Sequence, residues 1–231
     1  MIPLLIYIFL KKYGKQNLLE NHLRTQKLLR SFFYVFLVSL LVMVILLIPA
    51  SSRSQNLQRN YKITKGGDEI GWLRLEKKME GNISSLLMVS EIKTRMIFRI
   101  NVSAKESSVF ENGQMIYSSQ FRKTNGDTKV DKETRLADDK YEVSENGEKQ
   151  DLDFHFIGVN LLSLYFQEPV DISFVYCDNH QCFVKIGKTD DGGYKVKFPD
   201  GNSNIFYYSG GICTKICVNH TFYSAEIILN P

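Results

Sequence analysis

Four cysteines are the residues of this sequence best placed to do chemistry, and two of them bracket Asp178-Asn179-His180-Gln181 between apparent strands. A four-residue hairpin loop sets its flanking residues opposite one another. A disulfide between Cys177 and Cys182 is therefore expected in an oxidising compartment, with loop closure contributing about 2 kcal/mol. Cys213 and Cys217 lie four apart in another apparent strand, on one face and roughly 13 Å from each other at ~3.3 Å per residue. They cannot bond to each other in that conformation. An alternative gathers Cys177, Cys182, Cys213, Cys217, His180 and His220 around zinc, because thiolate and imidazole suit that ion. The spacings are those of neither a zinc ribbon nor a finger, so no metal or other cofactor is assigned.

His155, in Asp153-Phe154-His155-Phe156, has the chemistry of a general base, although a hydrogen-bonded structural histidine is the simpler reading. Asp138-Asp139 and Asp190-Asp191 are paired carboxylates beside turn signals and read as solvated turn residues. The chain has no P-loop, G-x-S-x-G, H-E-x-x-H or Rossmann glycine pattern, and no nucleophile–base pair is recognisable by spacing. It reads as a non-enzyme. Asn82-Ile83-Ser84, Asn101-Val102-Ser103 and Asn219-His220-Thr221 fit the N-glycosylation sequon, which matters only in a eukaryotic secretory pathway.

The elements that would position these residues are strands. Met96, Phe98, Ile100 and Val102 alternate with Arg95, Ile97, Arg99 and Asn101, and Met115, Tyr117, Ser119 and Phe121 alternate with Ile116, Ser118, Gln120 and Arg122. Period two places each set on one face of a half-buried strand. Asn112-Gly113, Asn125-Gly126, Asn146-Gly147, Asp191-Gly192-Gly193 and Asp200-Gly201 supply the positive φ angles of tight hairpins. Only Gly158 to Phe166, ended by Glu168-Pro169, looks helical. The expected fold is mainly β: a strongly curved antiparallel sheet, a half-barrel or open barrel meander, with one short helix.

A membrane segment precedes this domain. From Phe32 to Ile48 the chain is apolar apart from Ser39, and Pro49 closes the run. That length exceeds a signal-peptide core of roughly 7–15 residues and lies at the short end of the roughly 17–25 of a spanning helix. Lys11, Lys12, Lys15, Arg24, Lys27 and Arg30 stand before it, so the positive-inside bias keeps the N-terminus in the cytosol and the domain outside. Ser52 and Ser54 offer a small-x-small cleavage site, and no cysteine lies near them for lipid attachment. A translation start nearer Thr25–Leu29 would account for the long leader. The expected organisation is a basic cytosolic leader over 1–31, a signal sequence or transmembrane anchor over 32–54, and an extracytoplasmic β domain over 55–231.

The composition fits this. Of 231 residues, 29 are Lys or Arg and 25 Asp or Glu, a formal net charge of +4, which leaves no surplus for nucleic acid. Twelve Tyr and fifteen Phe against five Pro argue for a packed core.

Tyr61-Lys62-Ile63, Ile70-Gly71-Trp72, Ser107 to Tyr117 with its Glu111-Asn112-Gly113 turn, and Leu164-Tyr165-Phe166-Gln167-Glu168-Pro169 resemble an exported Bacteroidota family that carries a domain of unknown function. So do Phe198-Pro199-Asp200-Gly201-Asn202 and Gly210-Gly211-Ile212-Cys213. The family is similar in outline to the curved sheets of periplasmic lipoprotein and lipid carriers, and the resemblance implies an envelope protein. Aromatics on alternating strands suggest a concave face for an apolar ligand or lipid, with Leu161, Leu162, Tyr165 and Phe166 of the short helix as its lid. The competing expectations are a partner in an envelope complex, docking through a sheet edge or Tyr207-Tyr208, and a hydrolase built on His155 with a nearby carboxylate.

Overall fold

The hairpin chemistry is realised as left-handed backbone. Asn112, Asn125 and Asn146 have φ of 51°, 54° and 52°, and each is followed by a glycine with φ between 81° and 94°. The computed structural model describes residues 37–39, 55–95 and 99–230, and the chain divides into two units, Met1–Ser51 and Ser52–Pro231. In the first, Leu37, Val38 and Ser39 are helical and exposed. The rest of the expected leader and membrane segment, with the proposed cleavage site, lies outside the described residues. Among the described residues no helix is long and apolar enough to cross a membrane.

The second unit is one antiparallel sheet of fourteen strands. Its first half runs β1 (Gln55–Lys65), β2 (Asp68–Glu80), β3 (Ile83–Arg95), β4 (Arg99–Glu111), β5 (Gln114–Thr124), β6 (Asp127–Ala137), β7 (Lys140–Glu145) and β8 (Glu148–Leu152). Its second half runs β9 (Phe174–Cys177), β10 (Cys182–Lys188), β11 (Tyr194–Lys197), β12 (Ser203–Ser209), β13 (Ile212–His220) and β14 (Tyr223–Asn230). Neighbours in sequence pair throughout each half, and β1 pairs with β14 to join them. The edge strands are thus β8 and β9, which follow one another in the chain. The connection 153–173 between them contains the 3-10 helix Leu161–Tyr165, shorter than the expected Gly158–Phe166.

The curved sheet encloses a core in which Tyr61, Leu75, Met115, Tyr141, Phe206 and Ile216 are buried. The tyrosines bring their hydroxyls in with partners, as burial of a polar tip requires. Tyr61 donates to the Cys213 carbonyl at 2.8 Å, and Tyr141 donates to the Met115 carbonyl at 2.6 Å while accepting from the Ile157 amide at 3.2 Å. The 3-10 helix packs against β3, β4, β9 and β13. Its C-terminal carbonyls, which have no partner within so short a helix, accept from Tyr208 Oη (2.5 Å to Leu164 O) and Arg59 (3.2 Å to Tyr165 O).

Three expectations about strand faces are corrected. Of the stretch around Met96 to Val102, Met96, Ile97 and Phe98 lie outside the described residues, while β3 ends at Arg95 and β4 begins at Arg99, and these two residues pair, so the chain reverses between them. In β5 the register passes from Val109↔Tyr117 to Phe110↔Met115, so Ile116 is an extra residue. Such a bulge reverses the alternation. Met115 and Ser118 are therefore both buried, while Phe121 is exposed. In β13 the register likewise passes from Tyr207↔Lys215 to Tyr208↔Cys213, leaving Thr214 over. Cys213 and Ile216 then face the core, and Cys217 turns to the outer face beside Glu226, at 3.9 Å. The two cysteines do not share a face.

Candidate functional site

Bulge and alternation together place polar side chains inside the sheet. Glu106 and Ser108 stand two apart on the inner face of β4, and Ser118 and Gln120 two apart on that of β5. Two groups form from them, and they differ in how completely they are satisfied.

The first group joins the connection before β9 and the β9–β10 loop to the inner face of the sheet. Asn160 is wholly buried and caps the 3-10 helix: its Oδ1 accepts from the Ser163 amide at 3.1 Å and the Ser163 hydroxyl at 2.8 Å. Its Nδ2 donates to Ser108 Oγ at 2.7 Å and to Asp178 Oδ2 at 3.1 Å, and Ser118 donates to Asp178 Oδ1. Lys132, also buried, donates to the Asn179 carbonyl at 3.2 Å and pairs with Glu145 at 3.2 Å. The β9–β10 loop is therefore latched to β4, β5 and β6 by side chains where no ladder exists. Phe154 adds edge-on contacts to Tyr176 and Phe183. Burial pushes the Asp178 carboxyl up to about 6, against the lowering pull of Ser118 and Asn160.

The second group faces a cavity of about 430 Å³. Leu161, Leu162 and Tyr165 of the 3-10 helix line it, with Met88, Phe206 and Val218 from the sheet. Glu106 and Gln120 form its polar wall, and His180, Asp200, Asn202 and His220 contribute further polar lining. Burial pushes the Glu106 carboxyl up to about 7, and the charge of Asp178 adds to the effect, opposed by a hydrogen bond from Gln120 and by Arg122. With the Gln120 amide nitrogen turned to that carboxyl, its Oε1 is buried and has no hydrogen-bond partner. His180 stacks on Phe198 and lies 3.6 Å from Asp200.

The residues singled out from the sequence are distributed as follows. Cys177 and Cys182 are direct cross-strand partners, as the hairpin reading requires, and both are free thiols here, as are Cys213 and Cys217. Among the described residues no three His, Cys, Asp or Glu side chains stand together as a metal site. Leu161, Leu162 and Tyr165 line the cavity, whereas Phe166 belongs to the buried core. Tyr208 points inward to Leu164, and Tyr207 points outward to Asp191 at 2.8 Å, so the pair is not one surface. His155 is exposed, 3.0 Å from the Asp139 carbonyl, and does not line the cavity. Asp138 occupies the β6–β7 turn at φ 55°.

Glu106, Gln120, Asn160 and Asp178 were not anticipated from the sequence. Asn160 carried a signal in its cap position three residues before Ser163. Glu106 carried one as a carboxylate in register with inward Ser108 and Phe110.

Residues 61–230 match a family described as "Domain of unknown function (DUF6134)". No curated protein matches the chain. Among solved structures, it is similar to the crystal structure of a β-barrel-like protein of domain of unknown function DUF1849 from Brucella abortus. That similarity has 13% sequence identity and a TM-score of 0.48, and it covers 75% of this chain and 95% of the other.

Proposed function

The chain belongs to the DUF6134 family, and we propose that it is a non-enzymatic, extracytoplasmic binding module of the cell envelope whose ligand is a lipid or other largely apolar molecule. The observation that carries this is the cavity of about 430 Å³ between the sheet and the 3-10 helix. It exceeds the lower bound of roughly 300 Å³ for small-molecule sites. A core packed only for stability leaves few voids larger than a water molecule. The apolar surfaces of Leu161, Leu162, Met88 and Phe206 suit a hydrocarbon, and the helix that supplies the first two covers it. The sequence resemblance to exported Bacteroidota proteins and to lipid-carrier sheets agrees with this role.

Residues 32–48, preceded by basic residues, bring the domain to the membrane and leave it outside. Alkaline phosphatase fused after Pro231 is expected to be active, and an inactive fusion sinks the orientation. The binding role is tested by native mass spectrometry of the full chain purified from its own membranes. A co-purifying lipid is expected, and Leu162→Trp, which fills the cavity, should remove it. A chain that carries nothing, or a Leu162→Trp variant that retains the same load, overturns the role.

A further inference from the structure

The cavity wall contains an arrangement that an apolar ligand alone would leave unsatisfied. Glu106 presents a carboxylate, and beside it Gln120 presents a buried carbonyl oxygen with no donor. A buried acceptor left without a donor is costly, and a carboxylate held away from water is more so. Among the described residues no lysine, arginine or histidine forms an ion pair with Glu106. Lys132 is held by Glu145 at 3.2 Å and the Asn179 carbonyl, and His180 lies by Asp200 at 3.6 Å. Arg122, two residues beyond Gln120, lines the same cavity and its charge lowers the Glu106 carboxyl, but it is exposed and makes no ion pair with it, so much of that charge is screened by water. Tyr165 lines the same cavity.

We infer that the ligand is an amphiphile whose polar end is a protonated primary amine, seated between the Glu106 carboxylate and Gln120 Oε1 with its hydrocarbon along Leu161 and Leu162. This rests on the binding role proposed above and names the chemistry of its polar end. An ammonium supplies donors to both acceptors and neutralises Glu106. A hydroxyl can donate only once and carries no charge. A carboxylate head meets Glu106 as a like charge, which disfavours it.

Titration calorimetry of the full chain at pH 8 with decylammonium, decanol and decanoate tests this. Decylammonium is expected to bind at least about tenfold more tightly than the other two. Glu106→Gln should remove that advantage, so that decylammonium binds no more tightly than decanol. Leu162→Trp should abolish binding of all three. If the three bind equally, if decanoate binds best, or if Glu106→Gln keeps the preference for the amine, the ammonium site is overturned while the binding role stands. If none binds to the unaltered chain, both fall together.

Discussion

Two carboxylates lie inside one sheet, near enough that the charge of Asp178 raises the Glu106 carboxyl, and they are treated in opposite ways. Asp178 is surrounded by donors from Ser118 and Asn160 and belongs to a network that ties a loop to three strands. Glu106 has Gln120 beside it and a cavity in front of it. A saturated buried network fixes structure, because removing any member strands the others. An unsaturated one is a standing cost to the fold that a ligand can relieve. The difference separates a structural polar interior from a candidate site more sharply than residue type or burial does.

Removing Asp178 should show the largest effect. Asp178→Ala leaves Asn160 Nδ2 and the Ser118 hydroxyl without their shared acceptor, and a loss of about 3–4 kcal/mol is expected in urea unfolding. Ser118→Ala removes one hydrogen bond to a charged acceptor and should cost about 2 kcal/mol by the same measurement. If Cys177 and Cys182, free thiols in this structure, are oxidised to a disulfide, the loop that carries Asp178 is tightened. Non-reducing peptide mapping of native material should recover the two as a bonded pair, and reduction should lower stability by about 2 kcal/mol. Free thiols in that map would count against the bond.

Burial raises both carboxyls, but removing the Glu106 charge should have the opposite sign, because no network of donors is stranded with it. Its carboxyl is raised in the folded protein, so the folded state holds its proton more tightly than the unfolded chain does. The associated stability is fully present below the ordinary glutamate range and is lost as pH rises towards about 7. Glu106→Gln should therefore stabilise the protein at pH 8 by about 1–2 kcal/mol and leave it nearly unchanged at pH 4, as thermal unfolding at the two pH values would show. A destabilised variant at pH 8 would place Glu106 with Asp178 and erase the contrast. The smallest effect is expected for Gln120→Met at pH 4, within about 0.5 kcal/mol, because the lost oxygen had no partner and the lost amide nitrogen there faces a protonated carboxyl rather than a charge.

Much of the fold was legible because its turns are local. Asn112-Gly113, Asn125-Gly126 and Asn146-Gly147 announce their hairpins through the backbone conformation that only a few residues tolerate. The meander, the curved sheet and the single short helix follow from them. What period two could not reveal was the insertion of Ile116 and Thr214, since a bulge changes the inward face without changing composition. That slip hid Ser118 and Gln120, which looked like the outer face of β5, and set Cys213 and Cys217 wrongly together. The latch was illegible for another reason. Asn160 and Asp178 are joined to Ser108 and Ser118 across 52 and 60 residues respectively, and nothing local foretells such a meeting. Half of the cavity was readable, since Leu161, Leu162 and Tyr165 were singled out from the helix, whereas its acidic wall was not.

The pairing of β1 with β14 has a consequence in time. Asn60 lies opposite Asn230, and Thr64 opposite Glu226, whereas the other ladders join strands adjacent in sequence. Each half of the meander can form as it emerges from the ribosome, at about 5–20 residues per second. The ladder that unites the halves cannot form until β14 has emerged. Such distant contacts are slow to close. Until they do, Tyr61 and Ile227 lack part of their burial, and the two half-sheets expose open edges that invite pairing with other chains. A chain organised in this way closes its sheet only after both half-sheets exist, and its period of greatest need for a chaperone falls between their formation and that closure.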